Sequence, residues 1–169
     1  MKLYIKQKVF SWGEKFSVKN EHEEDVYFVK GEVFSFGKKL HITDTNENEL
    51  AFIKQKVMSF LPKYYIIQNE KQVAEVVKKF TVLTQKYIVN GLDLEISGDF
   101  LAHNYSVMNK NGDEVMTVTK KWLTWGDTYE IDTHDAIDPV IAVSLLIVID
   151  ACLASESQAA GASINFNNN

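Results

Sequence analysis

Arginine is absent from this 169-residue chain, and all 18 of its basic residues are lysine. Arginine supplies the planar fork that clamps phosphates and carboxylates and reads guanine in DNA. Without it, any anion must be held by lysine point charges or by backbone N–H groups, which argues against phosphoryl transfer and sequence-specific DNA reading. The net charge of −5 and pI near 5.4 argue further against nucleic acid as a partner. Cysteine occurs once, at Cys152, so no intramolecular disulfide is possible and a reducing compartment is expected. The four histidines (His22, His41, His103, His134) show no ligand spacing, so neither a metal nor a catalytic triad is expected. The acidic run Glu21, Glu23, Glu24, Asp25 lacks the spacing and the glycine of a calcium loop. Phosphate-binding loops, dinucleotide fingerprints and nucleophile elbows are missing as well, so no catalytic residue, cofactor or enzymatic activity is expected. The N-terminal stretch Met1 to Lys8 has no apolar run of the kind a secretory signal needs, which points to a cytoplasmic location.

What is present is repetition. Ile5-Lys6-Gln7-Lys8-Val9-Phe10-Ser11-Trp12 recurs 48 residues later as Ile53-Lys54-Gln55-Lys56-Val57-Met58-Ser59-Phe60. Half that offset gives Val33-Phe34-Ser35-Phe36-Gly37, and further copies start at 80, 98 and 122. Aligning the six copies produces columns. One reads Phe16, Leu40, Tyr64, Tyr87, Tyr105, Tyr129; a second reads Val18, Ile42, Ile66, Val89, Val107, Ile131; a third reads Ile5, Val29, Ile53, Val76, Leu94, Val118. These positions alternate with polar ones, the period of a half-buried strand. Each repeat is therefore a hairpin, and six hairpins predict about twelve antiparallel strands. Between repeats the chain carries turn signals such as Asn69-Glu70, Asn90-Gly91 and Asn111-Gly112. The two Asn-Gly pairs predict type I′ turns.

The alternation stops near Asp135. Asp138 and Pro139 form a helix start, and Val140 to Ala154 is apolar nearly all round, interrupted by Ser144 and Asp150. Such a helix is surrounded either by lipid or by protein. Sixteen residues make about 24 Å of helix, short of a bilayer and matched to strands of six or seven residues. A closed barrel of twelve strands has room for such a plug. The sequence thus predicts one domain over residues 1–154, a closed mainly β barrel around a central apolar helix with no transmembrane segment, followed by a flexible polar tail over 155–169.

Three features together carry a family resemblance: the Lys-x-Lys strands, the turns Trp12-Gly13-Glu14-Lys15-Phe16-Ser17-Val18 and Trp125-Gly126-Asp127-Thr128-Tyr129-Glu130-Ile131, and the Asp138-Pro139-capped apolar helix containing Asp150. The chain resembles the LURP-one-related family, including its small bacterial members, and through it the Tubby C-terminal domains and phospholipid scramblases. The resemblance implies a twelve-stranded barrel with a central helix. Tubby domains bind phosphoinositide headgroups through a Lys/Arg pair, and scramblases are associated with membranes and calcium. This chain has neither an arginine nor a membrane-length tail helix.

Two groups of residues are candidates for binding. Outward parity gives Lys6, Lys30 and Lys54, then Lys8, Lys56, Lys79 and Lys121. They form either a band that meets anionic phospholipid headgroups or an acidic partner, or an ordinary solvated exterior. Inward parity gives Gln7, Gln55, Lys78 and Lys120. Three readings are open: a polar barrel mouth holding a small anion, a β-bulge that turns these side chains outward, or a pairing of Lys78 or Lys120 with Asp150. The expected function is a non-enzymatic binding or scaffold domain, peripheral at a membrane or bound to a protein. The alternative is a carrier or enzyme built on the polar barrel mouth.

Overall fold

Period-two alternation becomes twelve strands and one helix in a computed structural model that describes residues 1–6, 15–80, 85–123, 126–134 and 136–165. The strands are β1 (Lys2–Lys6), β2 (Lys15–Lys19), β3 (Asp25–Gly31), β4 (Lys39–Thr43), β5 (Glu49–Gln55) and β6 (Lys63–Gln68), then β7 (Lys71–Phe80), β8 (Gln85–Asn90), β9 (Leu94–Asp99), β10 (Asn104–Asn109), β11 (Glu114–Leu123) and β12 (Gly126–Thr133); α1 (Pro139–Asn165) follows. Each strand pairs antiparallel with the next, and β1 pairs with β12, so the sheet closes into a barrel with no free edge. The Lys2↔Asp132 to Lys6↔Thr128 register makes that closure.

The three sequence columns point inward. Every residue in them is buried except Phe16, which is half-buried. They share one core with the helix, from Val140 to Cys152. Each fully buried aliphatic side chain contributes about 1.5–3 kcal/mol. Asp138 Oδ1 accepts hydrogen bonds from the N–H of Val140 (2.8 Å) and Ile141 (3.1 Å), the predicted cap.

Two expectations need correction. The helix does not stop at Ala154 but runs to Asn165, because Ser155-Glu156-Ser157-Gln158-Ala159-Ala160 holds no residue that breaks a helix. The apolar stretch Pro139–Glu156 is then long enough to cross a membrane, so length does not separate lipid from protein surroundings. Burial does, since 67% of that stretch lies inside the protein. The Asn-Gly pairs are not type I′ turns either, because that type needs two successive positive φ angles. Gly112 (φ 87°) follows an Asn111 with negative φ. The β10–β11 turn is instead a three-residue type: Gly112 N–H donates to Asn109 O (3.0 Å), and Asn109 Oδ1 accepts from the N–H of Asn111 and Asp113. The β2–β3 and β4–β5 turns repeat this plan with Asn20 and Asp44 as the accepting side chains. Paired positive φ angles occur at Asn69 and Glu70, in the β6–β7 turn.

Strand direction alternates around the barrel, so turns after odd-numbered strands gather at one pole and turns after even-numbered strands at the other. The helix enters at the even-turn pole, after β12, and its far end reaches the odd-turn pole.

Candidate functional site

Hairpin tips are ordinarily polar, yet at the odd-turn pole they are apolar. The large hydrophobics that stand exposed include Val33, Phe34 and Phe36 between β3 and β4, Val57, Met58 and Phe60 between β5 and β6, and Leu101 between β9 and β10. Phe34 and Phe60 are as exposed as in an extended chain, at 101% and 102%. The two richest tips are locked side by side. Gln55 N–H donates to Lys38 O (2.8 Å), and Lys38 N–H donates to Gln55 Oε1 (3.0 Å). Gly37 (φ 81°) permits this, since a Cβ there would stand 2.9 Å from Val57 Cγ1. The repeat places Val9-Phe10-Ser11-Trp12 and Trp122-Leu123-Thr124-Trp125 at equivalent sequence positions, largely outside the described residues.

Charge is sorted between the poles in the same way. Lys6, Lys15, Lys30, Lys38, Lys39, Lys54, Lys56, Lys63, Lys78, Lys79, Lys86, Lys120 and Lys121 belong to strand ends and turns of the odd-turn pole. The described lysines at the even-turn pole are Lys2, Lys19, Lys71 and Lys110. That pole instead carries Glu21, Glu23, Glu24 and Asp25, then Asp44, Glu47 and Glu49, and Asp113 with Glu114. A net acidic protein thus presents one basic end. Lys39, Lys63 and Lys86 are held by Glu32, Glu75 and Glu95. Lys6, Lys30, Lys54, Lys56 and Lys79 are exposed and form no ion pair among the described residues. The outward lysines of the sequence analysis are therefore brought together on one pole, with Lys121 exposed 3.8 Å from Glu130. Lys8 and Gln7 lie outside the described residues.

Inward parity resolves three ways. No register shift falls at Lys78 or Lys120, so a bulge is not what places them. Lys78 is buried and pairs at 2.5 Å with Glu156 on the helix rather than with Asp150. Lys120 stands opposite Tyr129 on the inward face and is exposed at the barrel end, where its charge acts on His103. Gln55 is the tie between two hairpins described above. Lys38, His103, Tyr129 and Glu156 carry no site signal in the sequence, because their contacts join the helix to distant turns and strands.

Asp150 meets the Tyr129 hydroxyl, which donates to Oδ1 at 3.3 Å, and His103 Nδ1 at 3.7 Å. Burial pushes its carboxyl up to about 6, against the pull of the Tyr129 hydrogen bond and of Lys38. Burial, then Lys120, lowers His103 from its ordinary range, opposed by Asp99. Lys38 reaches inward to Ser155 Oγ (3.2 Å) and Ala151 O (3.4 Å), and burial holds it below the usual lysine range. Burial pushes the Cys152 thiol up to about 12, so it is no nucleophile at neutral pH.

A raised carboxyl means the folded state binds the proton more tightly than the unfolded state. Stability from this group is present below pH 4 and falls as pH rises to about 6, by about 3 kcal/mol in total. His103 has the opposite sign, costing stability as pH falls below 6.5. Asp150→Asn is expected to raise stability at pH 7.5 by about 1–3 kcal/mol and to remove the loss of stability that the carboxyl imposes between about pH 4 and 6. Urea midpoints from pH 4 to 8 check this.

The LURP-one-related family model matches residues 1–150. The uncharacterized protein YxjI of Bacillus subtilis is 37% identical over 157 residues, which cover 92% of this chain and 96% of that protein. The X-ray structure of the Arabidopsis thaliana protein AT5G01750 shares the fold, with a TM-score of 0.65 at 14% identity over 89% of each chain. The repeat columns, the closed barrel and these matches agree, and the chain belongs to the LURP-one-related family.

Proposed function

We propose that this chain is a non-enzymatic binding domain that docks peripherally on anionic phospholipid through its basic, apolar-tipped pole. One observation carries the reading: fully exposed Phe34, Met58 and Phe60 stand on the same pole as Lys30, Lys54, Lys56 and Lys79. An apolar patch on a folded protein marks an interaction surface. Met58 and Phe60 stand fully exposed on one hairpin tip and Phe34 on the tip beside it, where it also lines a cavity with Phe28, Lys30 and Val33. Exposed rings on hairpin tips suit insertion into the soft headgroup region of a bilayer. Lysines near an anionic surface contribute about 1 kcal/mol each and need no arginine. The acidic pole then faces away from the membrane, so the charge dipole orients the approach. A cytoplasmic leaflet, where anionic lipid is concentrated, fits this polarity.

Vesicle flotation tests the reading. The protein should float with phosphatidylcholine vesicles containing phosphatidylserine at low salt, be released by high salt, and ignore pure phosphatidylcholine. No flotation at low salt, or equal flotation with both vesicles, would contradict it and turn attention to a protein partner.

A further inference from the structure

We propose that the barrel mouth is a binding site for a phosphate group, closed in this state by the chain's own Glu156 carboxylate. The inference stands apart from the membrane reading and uses different residues.

Lys78 is the starting point. Its side chain is 2% exposed, and burying an ammonium is costly unless an anion accompanies it. The anion is Glu156, whose side chain is 35% exposed at the rim, on the stretch of helix beyond the buried core. A fixed buried cation thus faces a carboxylate that can swing outward without disturbing the packed helix.

The surroundings hold more donors than that carboxylate engages. The hydroxyl of Tyr87 is fully buried with no hydrogen-bond partner among the described residues, and that of Tyr64 is buried beside Ser155. A buried donor left unsatisfied is costly to desolvate. Tyr87 lies by Lys78, whose Nζ is 5.9 Å from its ring centroid, and both Tyr87 and Cys152 feel the Glu156 charge. The Ser155 hydroxyl donates to Ala151 O (2.8 Å) and accepts from the Lys38 ammonium (3.2 Å). Two ammonium groups and two tyrosine hydroxyls therefore converge on one turn of helix, around Cys152. A carboxylate has two oxygens to offer them, whereas a phosphate has three or four and up to two charges. The donor set matches phosphate, with Glu156 as an internal stand-in.

The phosphate could be free or carried by a lipid, and the test separates the two. Wild type, Glu156→Gln and the double variant Glu156→Gln/Lys78→Met are titrated with inorganic phosphate and, in parallel, with a soluble short-chain phosphatidic acid. Binding is read from the rise in thermal midpoint with concentration. Glu156→Gln should bind at least one of the two about tenfold more tightly than wild type, because the competing carboxylate is gone. Adding Lys78→Met should abolish that gain, and comparison within the pair cancels general salt effects. Tighter binding of the lipid identifies a headgroup as the source, and equal or tighter binding of inorganic phosphate identifies the free ion. No gain in Glu156→Gln for either probe, or a gain that survives Lys78→Met, would overturn the proposal and leave Glu156 as a structural clasp. Flotation of wild type is read separately, so failure here does not touch the membrane reading.

Discussion

Replacing Phe34 and Phe60 with serine together should weaken binding to anionic vesicles more than about tenfold while leaving the fold intact. Full burial of one phenylalanine contributes about 1.5–3 kcal/mol, so even partial insertion of two is worth 1.4 kcal/mol or more, the equivalent of that factor. Both rings are exposed, so their loss should change stability by less than about 0.5 kcal/mol. Reversing charge at the neighbouring hairpin end, with Lys54→Glu and Lys56→Glu, removes two attractions and adds two repulsions. At about 1 kcal/mol per charge near the surface, this should cost about a hundredfold or more at low salt, and much less at high salt. Glu47→Lys, on the acidic pole, serves as the control and should not weaken binding. Flotation across a salt series measures all three. If the serine pair binds as well as wild type, the exposed rings are not what touches lipid.

The second large effect concerns the helix. Leu145 is fully buried in the shared core of barrel and helix. Leu145→Ala should therefore destabilise by about 2–5 kcal/mol, combining lost transfer energy with the cavity left behind. That is a large fraction of the total stability of a domain this size. Urea denaturation should show a lower midpoint with an unchanged slope. A cost below about 0.5 kcal/mol would mean that the barrel does not grip its helix.

The architecture was readable before any coordinates because side-chain period and repeat length are both local. Alternation told strand from helix, and the recurring columns Phe16 to Tyr129 and Val18 to Ile131 told inside from outside. The even-numbered turns were misread in detail. Asn90-Gly91 and Asn111-Gly112 look like two-residue turns, but at the second the Asn109 side chain accepts two backbone N–H groups and sets a longer loop. The helix end was misjudged because the change from apolar to polar residues at Ser155 does not end helical hydrogen bonding.

The site was only half legible. Its lysines stood out as repeat positions, yet their gathering at one pole depends on strand direction around a closed sheet. The motif Val33-Phe34-Ser35-Phe36-Gly37 was read as a repeat signature, and its exposure was invisible until the hairpin tip was located. Partners of Asp150 could not be found by parity. His103 and Tyr129 reach it from a turn and a distant strand, 47 and 21 residues away along the chain. Long-range meetings of this kind leave no period in a sequence.

The most direct test of the account places an environment-sensitive fluorophore on a cysteine at Met58, and in a second sample at Asn46, at opposite poles of the barrel. Buried Cys152 is changed to serine in both to leave a single labelling site. On addition of phosphatidylserine-containing vesicles, the label at Met58 should shift to the blue and become shielded from aqueous quenchers, while the label at Asn46 should not change. A shift at Asn46 alone, or at neither position while the protein floats with the vesicles, would show that the basic pole is not the face that meets lipid.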